Sequence, residues 1–109
     1  MFEEGGRRSD SRSGWAHVAA HDGAAAVIDA ALELDPADRY TKTELSDAAG
    51  VPLKTLYLDG TLEELVAVGL LEKHGDEGEE TTFSVDDGSP VFEAARAFDD
   101  AVRDRQSDA

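Results

Sequence analysis

The sequence predicts a mostly α-helical domain that carries one β-hairpin and ends in a further helix. Three observations carry this expectation. Apolar residues recur at helical spacing over 24–32 and 91–102. Residues 41–58, TKTELSDAAGVPLKTLYL, read as helix, tight turn, helix. A Gly-rich turn then precedes the β-branched and aromatic run TTFSV. A chain of 109 residues supports one small core and not two. The expected organisation is a flexible tail over 1–14, a folded domain over 15–88 and a terminal helix over 89–105.

Taken in order, WAHVAAHD fits a short helical turn with Trp15, Val18 and Ala19 on one side. Asp22 is placed to cap the next helix, whose buried stripe is Ala24, Val27, Ile28, Ala31 and Leu32 and whose end is expected near Asp35-Pro36. Thr41 and Glu44 have the T-x-x-E spacing of a capping box, so a second helix should start at Lys42, with Leu45, Ala48 and Ala49 turned inward. Gly50 suits the left-handed residue that ends a helix, and Val51-Pro52 opens another.

The leucine spacing in LKTLYLDGTLEELVAVGLL suggests one long helix, yet Gly60 costs about 1 kcal/mol in a helix interior relative to Ala. Thr61 and Glu64 repeat the T-x-x-E pattern. A break at Asp59-Gly60 with a fresh cap at Thr61 is therefore favoured over a straight helix. Strands follow near 70–74 and 81–85 around a turn over 75–80. Ser89-Pro90 caps the last helix, with Val91, Ala94, Ala95, Phe98, Ala101 and Val102 on one stripe.

Composition narrows the function. No cysteine is present, which excludes disulfides and thiolate metal sites. The N-terminus has no apolar core like that of a signal peptide, and no run of about 18 apolar residues could span a membrane, so the expected location is the cytoplasm. Asp and Glu total 25 against 10 Lys and Arg, a formal charge of −15, and only Lys42, Lys54 and Lys73 are lysines. Because 40% of the residues are apolar and periodically placed, the acid belongs to a folded surface rather than a disordered chain. Such a carboxylate-rich, lysine-poor surface resembles proteins of salt-accumulating halophilic archaea.

The order of three helices, a Gly-Leu-Leu step and a hairpin resembles the winged helix-turn-helix domain. TKTELSDAAGVPLKTLYL is similar to its second helix, turn and recognition helix, and LEELVAVGLLEKHG to the passage from recognition helix into wing. The resemblance covers about residues 22–86, and the helix after the wing matches a dimerisation helix. Two departures stand out: Gly50 to Gly69 is slightly longer than usual, and the wing tip carries Asp76, Glu77, Glu79 and Glu80 where cations are usual.

What the resemblance implies is a sequence-specific transcriptional regulator that binds double-stranded DNA as a homodimer, without a cofactor. Thr41 and Lys42 would meet phosphate at a helix N-terminus, Lys54 and Thr55 would read base edges, and Tyr57 would touch the backbone. Arg39 lies near the same face, and Arg7, Arg8 and Arg12 form a basic tail able to follow a groove. Val91, Phe92, Ala95, Phe98 and Val102 would pair with a second copy. The rival reading is a winged helix used for protein contact, as an adaptor or antitoxin-like subunit. His17 and His21, four residues apart, are a weak metal signal, and no metal is expected. No Gly-rich phosphate loop or G-x-S-x-G nucleophile motif is present, so no enzyme is expected.

Overall fold

Ser13 accepts the Ala16 N–H on its side-chain oxygen at 3.0 Å, and this cap starts the first helix of the computed structural model, which describes residues 13–75 and 78–108. Arg7, Arg8 and Arg12 lie outside the described residues, as do Asp76 and Glu77. The elements are α1 Gly14–Ala20, α2 Ala24–Ala31, α3 Lys42–Ala49, α4 Leu53–Asp59, α5 Thr61–Ala67, β1 Leu71–His74, β2 Thr82–Val85 and α6 Pro90–Asp108. Among the described residues the chain is thus mostly helical, with one two-stranded antiparallel sheet.

Asp22 does not cap α2 as expected. Gly23 occupies the cap position at φ 82°, and it offers no side-chain bond. The reason is a close approach: a Cβ on Gly23 would lie 2.8 Å from Val51 Cγ1, so glycine lets the start of α2 sit against the turn after α3. Asp22 instead donates its N–H to Asp59 Oδ2 at 2.7 Å, and its carbonyl accepts the Thr61 hydroxyl at 2.9 Å. At the other end α2 stops at Ala31, before the expected Asp35-Pro36. There the chain tightens, with Glu33 N–H donating to Ala30 O and Leu34 N–H to Ala31 O.

The capping box of α3 forms in both directions: Glu44 N–H donates to Thr41 Oγ1 at 3.1 Å, and Thr41 N–H to Glu44 Oε1 at 2.8 Å. Gly50 ends the helix at φ 70°. The inner face is Leu45 and Ser46, whereas Ala48, expected inward, is exposed. Ser46 adds a tie the sequence pattern did not suggest, its hydroxyl donating to Val51 O at 2.5 Å across the turn.

The chain does break at Asp59-Gly60, but not through a Thr61 cap. Gly60, at φ 64°, is both the last cap of α4 and the first of α5, while Thr61 is fully buried and spends its hydroxyl on Asp22 O. The bend is therefore fixed from outside the two helices.

β1 and β2 pair with Leu71 opposite Val85 and Lys73 opposite Phe83. Tyr40, between α2 and α3, adds an isolated antiparallel bridge to Phe83, with N–H to O distances of 2.7 and 2.8 Å. Val27, Leu45, Leu56, Leu62, Leu71 and Phe83 form the centre of the core. Each such side chain contributes about 1.5–3 kcal/mol on burial. Ser89 caps α6 by accepting the Phe92 N–H at 3.0 Å, and its own hydroxyl donates to Gly69 O. This anchors Phe92 in the core at 4% exposure, so Phe92 is a core residue rather than part of a subunit contact. Ala95 is half-buried against the same core, and Arg96 Nη2 donates to Leu32 O at 3.0 Å. From Asp100 to Ser107, α6 runs through exposed residues.

Candidate nucleic-acid interface

The Gly50–Pro52 turn sets α4 on the end of α3, and Leu56, 2% exposed, fixes which way α4 faces. With Leu56 inward, helical geometry sends the neighbouring positions out. Lys54 is exposed, Thr55 half-buried, and Tyr57 and Leu58 are 66% and 76% exposed. The first turn of α3 comes alongside: Lys42 Nζ stands 4.6 Å from the Tyr57 ring centroid, a cation–π distance. Thr41, Lys42 and Tyr57 are therefore brought to one face, which continues into the outward side of α4.

This face is not purely cationic. Lys42 Nζ also lies 3.8 Å from Glu63 Oε2, on α5, so a carboxylate competes for the ammonium. Glu63 went unmarked in the sequence reading because it reaches the face only through the bend at Gly60. Among the described residues Lys54 forms no ion pair. Arg39 is exposed and precedes the Tyr40 bridge that orients the entry to α3. At the hairpin turn Glu79 and Glu80 are exposed.

The histidines are engaged elsewhere. His17 Nδ1 pairs with Glu64 Oε2, His21 Nδ1 lies 3.1 Å from His17 O, and His74 Nε2 lies 2.8 Å from Ser84 Oγ. Among the described residues no group of three or more His, Asp or Glu is arranged to hold a metal ion.

On α6 the expected stripe divides. Val91, Phe98 and Val102 are 42%, 53% and 39% exposed, and the Phe98 ring meets Trp15 with centroids 5.0 Å apart. Trp15, itself 63% exposed, was read only as part of a helical face; its position opposite Phe98 depends on how α1 and α6 meet.

These features define a class by architecture alone: a mostly helical domain with a hairpin, and a short outward helix bearing a cation, a hydroxyl and an aromatic ring. Comparison with protein-family models, curated proteins and solved structures finds no match to this chain. No helix among the described residues is long and apolar enough to cross a membrane.

Proposed function

We propose that this chain is a winged helix-turn-helix transcriptional regulator that binds double-stranded DNA as a homodimer in a high-salt cytoplasm. The observation that carries the reading is the outward face of α4, with Lys54 and Tyr57 exposed and Thr55 half-buried beside them while Leu56 is held in the core. A helix so placed after a tight turn can enter a major groove, where Lys54 donates to guanine and Thr55 touches base edges. The capped start of α3 then offers free N–H groups and Lys42 to a phosphate. Arg39 would add a further phosphate contact.

The charge of −15 opposes approach to DNA, and salt removes the opposition. At molar salt the Debye length is about 3 Å, so repulsion between surfaces is screened while contacts at hydrogen-bond range survive. Attraction through counterion release is weakened too, and recognition must then rest on close fit. The exposed Phe98 and Val102 on the free half of α6 supply an apolar stripe for a mate. A two-fold pair would present two α4 helices to half-sites roughly 34 Å apart.

One observation favours a second reading, a protein-binding module. Leu58 is 76% exposed beside Tyr57, and a partner protein would cover an aliphatic and aromatic patch of this kind. Both readings are tested by retention of the fragment upstream of the gene, against shuffled DNA, from low to molar KCl. Preference for the native fragment is the expected result. Absence of preference at every salt concentration refutes DNA reading and leaves the protein module.

A further inference from the structure

A groove of about 370 Å³ lies among α1, α2 and α6 on the side of the domain built by Trp15 and Phe98. Its floor is apolar, with Ile28 from α2 and Leu32 just after it, and its volume is at the small end of the range of ligand sites, about 300–1,000 Å³. Trp15 and Phe98 stand at a 59° tilt and are each more than half exposed, which leaves aromatic face available to a guest.

The polar groups in the lining are of one sign. Asp29 and Asp99 are the charged residues that line the groove, and among the described residues no cation lines it. Arg103 reaches Asp99 from one turn further along α6, its Nε 2.9 Å from Asp99 Oδ2, and that hydrogen bond raises the guanidinium pKa above its ordinary value. Glu33 and Asp29 act on the same guanidinium by charge. Among the described residues Arg103 therefore answers three carboxylates, with Arg96 held on Leu32 O nearby, and the rim keeps a negative excess.

We infer that this groove binds a small organic cation with an aromatic or branched apolar body, the cation held between the Trp15 and Phe98 rings and the Asp29 and Asp99 carboxylates. An aromatic face and a carboxylate both favour a cation, and apolar walls favour its hydrocarbon part. Phe98 also borders a more open hollow formed with Ala101, Val102, Arg105 and Gln106. The inference does not depend on DNA binding.

Trp15 is the chain's single tryptophan, so its emission reports this groove directly. The full chain is titrated with benzyltrimethylammonium, with its neutral isostere neopentylbenzene, and with the anion benzenesulfonate. Saturable change in Trp15 emission is expected with the ammonium, about five-fold tighter than with the neutral isostere, and absent with the anion. Asp29→Asn, at an exposed position, and Asp99→Asn, which also removes the Arg103 ion pair, should each weaken the ammonium and leave the neutral compound unchanged. Equal binding of ammonium and isostere overturns the cation assignment. No response to the ammonium, or ligand-free Trp15 emission that changes with protein concentration because a mate covers the groove, overturns the site. DNA retention is measured separately, so failure here and failure of the regulator reading are distinguishable.

Discussion

Lys42 is held between the Tyr57 ring and the Glu63 carboxylate, and the second contact opposes its use on a phosphate. Glu63→Gln should therefore tighten DNA by up to about five-fold, the ceiling for a partly exposed ion pair. Fluorescence anisotropy on the upstream fragment checks this, and unchanged affinity removes Lys42 from the interface. Lys54 is unpaired among the described residues, and its role is different in kind. Lys54→Ala and Thr55→Ala should each reduce preference for the native fragment over shuffled DNA, by about 1–3 kcal/mol for a good base contact, with smaller loss on shuffled DNA. Equal losses on both sequences would make these residues backbone contacts. The place of Lys54 and Thr55 in the first turn of α4 was legible because a turn and a helix start are local signals. The compensation of Lys42 was not, since Glu63 arrives from another helix.

Elements with local punctuation were read almost to the residue. The Thr41–Glu44 box and the Ser89 cap each close within three residues, so the sequence window contains both partners. The bend at Gly60 was legible from glycine, but its fastening was not. Thr61 bonds Asp22 across 39 positions, and no T-x-x-E pattern can report that. Tyr40 escaped for the same reason, its bridge partner lying in β2. Phe92 is expected at a subunit contact from sequence because the last helix carries more apolar surface than a small core needs, whereas the domain covers its first turns and takes Phe92 into the core. Ser89→Ala removes both the cap and the bond to Gly69 O, so it should cost about 1–2 kcal/mol. Denaturant midpoints and faster hydrogen exchange at the Phe92 amide check it. Glycine positions separate similarly. Gly50→Ala meets open space and should cost about 1–2 kcal/mol for left-handed backbone alone, while Gly23→Ala also strikes Val51 and should cost more. Equal midpoints would mean that Val51 yields freely.

At the scale of the molecule, self-repulsion and apolar exposure meet on one surface. A formal charge of −15 destabilises the compact chain at low ionic strength, so the thermal midpoint should rise with added KCl as the repulsion is screened. A flat response in calorimetry would show that the carboxylates are already spaced beyond mutual influence. Phe98→Asp, on the free half of α6, should give a monomer by sedimentation with weakened affinity for the native fragment; an unchanged mass would remove α6 from the assembly. The Tyr40 bridge to Phe83 has a mechanical consequence. Phe83 is fully buried and Tyr40 directly precedes Thr41, the cap of α3, so the second strand of the hairpin and the helix start are pinned together. A load applied at the hairpin turn arrives at Thr41 after one step, and the two parts would swivel together as a lever rather than flex apart.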